Sequence, residues 1–306
     1  MTAPPSGRQY ELTYGEERAV VVERGAGLRE YESRVPIIDG YGRDQRDDGS
    51  RGDLLIPWPN RIADATYRFA GREYRLPVTE PRTGCAIHGL TRERPWRLVD
   101  QSSASVTLAL ELPPEDGYPF TLGLSATYSL GASGVTVRVS ATNRGQAPCP
   151  FGAGAHPYVR LAGDGLIDGA LLHVPAGTTL ETDGRGIPFG AERAVDGTDR
   201  DFRSPRVIGP RVLDTAFGQL RGDDDGITRI SLEGPDGSGG VCVWMDGSHR
   251  YAMIYSGDTL PDAARRRRSL AIEPMTCAPD AFNSGAGLIV LQPGESSSST
   301  WGITPL

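Results

Sequence analysis

Val135-Thr136-Val137-Arg138-Val139-Ser140 alternates apolar and polar side chains at every step. Successive side chains of a β-strand point to opposite faces, so this stretch reads as a strand with one face buried and one wet. Moving outward, Phe120, Leu122, Leu124, Ala126 and Tyr128 repeat the pattern, and Val106, Leu108, Leu110 and Leu112 repeat it again. Strand-sized apolar runs follow at 241–245, 251–255 and 288–291. Tyr67-Arg68-Phe69 and Arg72-Glu73-Tyr74 flank Ala70-Gly71, which predicts a hairpin whose tight turn uses a positive φ at Gly71. No amphipathic helix of three turns is evident, and 262–269 predicts only a short, polar one. With 40 glycines and 24 prolines as punctuation, the expected fold is all-β: a large β-sandwich with long loops, one domain over 1–306. Segments 39–51, 183–210 and 296–300 read as surface loops.

Composition narrows the chemistry. The net charge of −7 disfavours nucleic-acid partners. No apolar run approaches the roughly 20 residues that span a bilayer, and MTAPPSGRQYEL has no signal-peptide character, so a cytoplasmic protein is expected. Cys85, Cys149, Cys242 and Cys277 lie far apart and read as inert thiols. All 32 basic residues are arginine. Without lysine there is no Schiff-base chemistry, no lysine-anchored pyridoxal phosphate and no P-loop lysine.

Of the four histidines, His173 and His249 read as structural. His88 precedes Gly89, where a glycine permits close backbone approach, and His156 follows Gly152-Ala153-Gly154-Ala155, small residues that would leave open space around it. No HxH, HxxxH or HExxH spacing occurs, so no metal site is expected. Glu273, in Leu270-Ala271-Ile272-Glu273-Pro274, is a carboxylate at the end of an apolar run; desolvation there would raise its pKa and make it a better base near neutrality. Asp214 has a similar setting. Arg61, in Trp58-Pro59-Asn60-Arg61, is a candidate to fork two hydrogen bonds onto vicinal hydroxyls. The run Arg265-Arg266-Arg267-Arg268 reads as a solvated loop.

Taken in order, Pro57-Trp58-Pro59-Asn60-Arg61-Ile62, Ile87-His88-Gly89, Ala155-His156-Pro157-Tyr158, Leu213-Asp214-Thr215-Ala216-Phe217 and Ile272-Glu273-Pro274 resemble the aldose 1-epimerase (galactose mutarotase-like) family. The resemblance implies a two-sheet antiparallel sandwich, with Glu273 as general base, His156 as general acid, and Arg61, His88 and Asp214 holding a monosaccharide substrate. It implies no cofactor, and a monomer or homodimer. Acid and base are then expected to face each other across a cleft, about one pyranose ring apart. Met253 stands where some members carry a polar amide. The alternatives are a hexose-6-phosphate 1-epimerase, with Arg43, Arg46, Arg92, Arg94 and the 265–268 run as phosphate candidates, a non-catalytic sugar-binding protein of the same fold, and a polysaccharide lyase or hydrolase.

Overall fold

The computed structural model describes residues 4–163, 165–235, 237 and 239–306; Met1-Thr2-Ala3 of the amino-terminal stretch lie outside the described residues. Two antiparallel sheets dominate. The larger has nine strands among the described residues, with Leu122–Gly131, Gly134–Asn143, Ser296–Pro305 and Gly240–Met245 at its centre. The second has eight and runs through Ala176–Thr179, Asp214–Leu220, Tyr251–Tyr255, Leu270–Met275 and Gly154–Ala155 to Leu54–Leu55. A four-stranded amino-terminal sheet, Gln9–Tyr14 to Val35–Pro36, adds to this pair.

Period-2 alternation explains the layering. Leu108, Leu124, Tyr128, Val137 and Val139 from the nine-stranded sheet share one core with Phe217, Ala252, Ile254 and Ile272 from the eight-stranded sheet. The intervening residues of the first sheet face water. The hairpin forms as expected: Thr66–Phe69 pairs with Arg72–Arg75, and Ala70 (φ 48°) and Gly71 (φ 78°) make its turn. Among the described residues the one α-helix is Ala281–Ser284, 262–269 contributes only the 3₁₀ turn Ala263–Arg265, and no helix is long and apolar enough to cross a membrane.

One of the three predicted surface loops needs correction. The serine run lies inside the strand Ser296–Pro305, hydrogen-bonded between two others. Its period-2 pattern continues into buried Trp301 and Ile303, but Ser299 takes the core-facing position and hides the apolar signal. Segments 39–51 and 183–210 are mainly loop, as expected, although 39–51 carries the buried Arg51 and 183–210 packs Gly186 against Arg61. The arginine run is likewise not simply solvated: Arg265 pairs with Asp48, and Arg267 bridges Asp168 and Asp258.

Candidate active site

The eight-stranded sheet has a second face, turned away from the core. Register carries Asp214 to Tyr255, and Ala216 to Met253 to Glu273, so alternation places Asp214, Met253, Tyr255 and Glu273 on that one face. Together they line a cavity of about 300 Å³, at the small end for ligand pockets.

Strand pairing also positions His156. Gly154 faces Met275 and Tyr158 faces Ala271, so His156, midway, lies across from Glu273 where the ladder is interrupted. Its backbone is held by Gly52, whose N–H donates to the His156 carbonyl, and by Asp53, whose carbonyl accepts from the His156 N–H. The small residues before it do not leave open space. A Cβ on Gly152 would overlap the Cys277 sulfur, and one on Gly154 would sit 2.8 Å from Pro59 Cβ. They are small because three segments meet there.

The predicted acid and base therefore touch, with His156 Nε2 3.3 Å from Glu273 Oε1. This corrects the expected separation of one pyranose ring. The two reacting oxygens of an aldose, on the ring and on the anomeric hydroxyl, are bonded to the same carbon. They lie closer together than a hydrogen-bond length, so groups serving both must be neighbours. His156 is 5% and Glu273 2% exposed, and neither His156 Nδ1 nor Glu273 Oε2 has a hydrogen-bond partner. Glu273 is thus desolvated, as expected, but lies within its strand rather than at the end.

Burial drives the electrostatics. It pushes the Glu273 carboxyl well above the usual carboxylate range, helped by the charge of Asp214 and opposed by Arg61. It pushes His156 down to about 3, helped by the positive charges of Arg92 and Arg51. The one proton the pair can share is therefore held by the carboxyl in preference to the imidazole. Asp214 is reachable from the cavity, yet the surrounding walls crowd out bulk water and raise its carboxyl, against the pull of Arg61.

His88 and Arg61 arrive together. Arg61–Ile62 pairs with Ala86–Ile87, and Asn60 and His88 lock each other: His88 N–H donates to the Asn60 carbonyl, and Asn60 N–H donates to His88 Nδ1 at 3.2 Å. With Nδ1 an acceptor, neutral His88 keeps its proton on Nε2 as a donor. Burial first, then His156 and Arg92, hold it well below the usual histidine range, hence neutral. Both residues adopt left-handed backbone, at φ 53° and 61°, a region that Asn and His tolerate better than most. Gly89 allows this turn, because a Cβ there would overlap the Ile56 carbonyl oxygen.

Arg61 lines the cavity with the Nε side of its fork turned to Glu80. Its Nε and Nη2 bond the two oxygens of Glu80 at 2.6 and 2.9 Å. Burial alone would raise the Glu80 carboxyl, but the bonds from Arg61 and Thr83 outweigh it and hold it low. The Glu80 pair uses two of the five N–H groups of Arg61 and leaves both on Nη1 and the second on Nη2 for a ligand.

Sequence reasoning missed Glu80, in a loop with no signal, and the support behind His156. Tyr158 stacks on the imidazole (4.9 Å between centroids, 19° between planes), and Arg51 covers the far face of Tyr158 at 4.3 Å. Arg51 is held by Asp39 and Asp48, each at 2.7 Å. Tyr158 was within reach of the His156-Pro157-Tyr158 motif; Arg51 was not. Met253 does line the cavity. Of the phosphate candidates Arg92 lines it too, while Arg94 pairs with Glu115 elsewhere. His249 is buried against Asp246, a structural setting as expected.

With this geometry in place, likeness to known proteins is informative. The family model described as aldose 1-epimerase matches residues 8–304. A relative named uncharacterized protein YihR, from Escherichia coli (strain K12), is 34% identical over 95% of this chain and 91% of its own. An aldose 1-epimerase from the same organism is 28% identical, covering 83% of this chain and 75% of its own. The solved structure of a GalM/aldose epimerase homologue from C. elegans superposes with a TM-score of 0.87 at 20% identity, covering 98% of both chains.

Proposed function

Because the chain belongs to the aldose 1-epimerase family, we propose that it interconverts the α and β anomers of a free aldose by acid–base ring opening and reclosure. The reading treats 1–306 as one unit, in keeping with a main core whose residues run from Tyr10 to Ile303. The observation that carries it is the contact of two buried, incompletely hydrogen-bonded groups, His156 and Glu273, on the wall of a cavity sized for a small ligand.

The chemistry uses one proton pair and nothing else. In the reacting state the shared proton sits on His156, and the Glu273 carboxylate is free. Glu273 takes the proton of the anomeric hydroxyl, C1 becomes a carbonyl carbon as its bond to the ring oxygen breaks, and His156 delivers its proton to that oxygen. After rotation about C1–C2, the former ring hydroxyl returns its proton to His156 and attacks the other face of C1. Glu273 then protonates the new anomeric oxygen. The pair ends as it began. Opposed environments suit the roles: the Asp214 carboxylate strengthens the base, while Arg92 and Arg51 sharpen the acid. His88 Nε2–H, Arg61 Nη1 and Asp214 hold the sugar hydroxyls.

Polarimetry of fresh α-glucose and α-galactose solutions tests this. Glu273→Gln and His156→Asn are each expected to lose 10²–10⁴-fold in rate, roughly the worth of one positioned proton-transfer group, while still binding sugar. Wild-type-like turnover in either variant sinks the assignment. A 6-phosphate substrate finds less support: Glu80, Asp214 and Glu273 share the cavity with Arg61, Arg82 and Arg92, and the arginine run is spent on internal pairs.

A further inference from the structure

A histidine that moves protons is ordinarily aimed by a hydrogen bond at its second ring nitrogen, which fixes tautomer and orientation together. His156 lacks that bond. Its Nε2 meets Glu273 at 3.3 Å, but its Nδ1 is buried and without a partner. The bonds from Gly52 and to Asp53 hold its backbone and do not reach the ring. What orients the imidazole from behind is therefore packing. His88 meets it edge-on, with 5.4 Å between centroids and 81° between planes, and Tyr158 lies nearly flat against it at 4.9 Å and 19°.

The Tyr158 ring is itself clamped. Its hydroxyl donates to the Gly49 carbonyl at 3.1 Å, Tyr255 stands edge-on to it at 6.4 Å, and the Arg51 guanidinium covers it 4.3 Å from its centroid. Arg51 is only 1% exposed, and a buried charge is unfavourable unless it is paired. Its Nε donates to Asp48 and its Nη1 to Asp39, both at 2.7 Å, yet its Nη2 has no partner. Ion pairing alone gives no reason to bury an arginine with a donor left over. The two carboxylates instead hold the guanidinium over the tyrosine ring. The next residue, Gly52, carries the His156 carbonyl, so Arg51-Gly52 grips both the backbone of the histidine and, through Tyr158, its ring.

We infer that Arg51 is a positioning residue for the acid: held by Asp39 and Asp48, it presses the Tyr158 ring against the imidazole and does for His156 what a hydrogen bond at Nδ1 does for other catalytic histidines. This rests on the mutarotase reading and deepens it. Arg51 does not line the cavity, so it acts through Tyr158 and through its charge. The two effects separate. A misaimed donor slows proton delivery while the sugar contacts persist, which belongs to kcat. The charge belongs to the pH profile. His156 is faced by Glu273 across the site, by His88 and Arg92 from the turn beside it, and by Arg51 behind Tyr158, with Asp53 beyond Arg92 and Asp39 and Asp48 beyond Arg51. Removing one of the positive charges lets the imidazole hold a proton more readily, so the acid limb moves up.

Polarimetry on glucose compares wild type with Arg51→Met and Arg51→Lys. Both variants leave Asp39 its bond from Ser269 and Asp48 its pair with Arg265. Arg51→Met is expected to lose roughly 10-fold or more in kcat, with KM nearly unchanged and the acid limb moved toward neutrality. Arg51→Lys keeps the charge but not the planar fork, so kcat falls as well while the acid limb stays. An arginine that merely supports the fold would lower the amount of folded enzyme and move no limb. Wild-type kcat in either variant, or an unmoved limb in Arg51→Met, overturns the inference and leaves the mutarotase reading intact. Should Arg51→Met not fold, Tyr158→Leu removes the stack and leaves Arg51 with both carboxylates: a loss of roughly 10-fold in kcat supports the clamp, and wild-type kcat overturns it. If wild type turns over no aldose at all, the mutarotase reading falls. Nitrogen-correlated NMR of the His156 ring, assigned with His156→Asn, then decides the clamp alone: ring signals that broaden or change tautomer in Arg51→Lys support it, and unchanged signals overturn it.

Discussion

Replacing Glu273 by Gln should stabilise this protein at neutral pH while disabling it. The side chain is 2% exposed, one of its oxygens has no partner, and burial holds its carboxyl well above the ordinary carboxylate range. A carboxyl whose folded pKa is raised binds a proton in the native state that the unfolded chain has already released. It favours the folded state fully below the unfolded pKa, and that stability is lost as pH rises through the folded value. Gln is nearly the same shape and cannot ionise, so the variant escapes the loss. The stability of Glu273→Gln minus that of wild type should therefore grow from pH 4.5 upward at about 1.4 kcal/mol per pH unit, until the native carboxyl itself ionises. With an unfolding entropy near 2.1 cal/mol/K per residue over 306 residues, or about 0.6 kcal/mol/K, each pH unit is worth about 2 °C in Tm. Urea unfolding and calorimetry of both proteins from pH 4 to pH 8 measure the difference, and comparing one pH with another cancels any constant packing change from the substitution. A gap that stays flat across this range refutes the reasoning, because it would mean that Glu273 titrates like a carboxyl in water.

Three further outcomes follow from the same geometry. The kcat/KM profile should be broad, falling on the acid side as a second proton reaches His156, near pH 3, and on the alkaline side as the pair loses its shared proton, above the ordinary carboxylate range; an acid limb near pH 6.5 would contradict the buried, neutral imidazole. Glu80→Ala should free the fork of Arg61 to rotate, raising KM for the sugar about 10-fold with a smaller change in kcat, since one positioned charge-assisted contact is worth about 1.5 kcal/mol; steady-state polarimetry reads it. Gly89→Ala should destabilise by several kcal/mol or prevent folding, because a Cβ at φ 72° meets the Ile56 carbonyl; normal urea unfolding with normal activity would show that this turn does not hold His88.

The alternation in Val135-Thr136-Val137-Arg138-Val139-Ser140 was enough to read a strand and its wet face, because side-chain direction in a strand depends only on residue parity. A different local rule, the positive φ that a tight turn needs at Gly71, found the hairpin. The five candidate site residues were legible from local motifs: each of Arg61, His88, His156, Asp214 and Glu273 lines the one cavity. Local reading failed where a residue's meaning depends on a distant partner. Ser296 to Thr300 looks like a loop until its neighbours on both sides supply hydrogen bonds. The glycines before His156 looked like empty space, and are instead where Pro59, Pro274 and Cys277 close in. Glu80, which takes the Nε side of the Arg61 fork, and Arg51, which covers Tyr158, carry no signal of their own.

Residue types and their parity along each strand are properties of the chain alone, and they establish the all-β character and which side chains are available for proton transfer. The distance between His156 and Glu273 is not such a property. It follows from antiparallel register, in which Gly154 meets Met275 and Tyr158 meets Ala271. Only that pairing brings an imidazole and a carboxyl from distant parts of the chain to 3.3 Å, and only burial between the sheet and its covering loops moves their proton affinities in opposite directions.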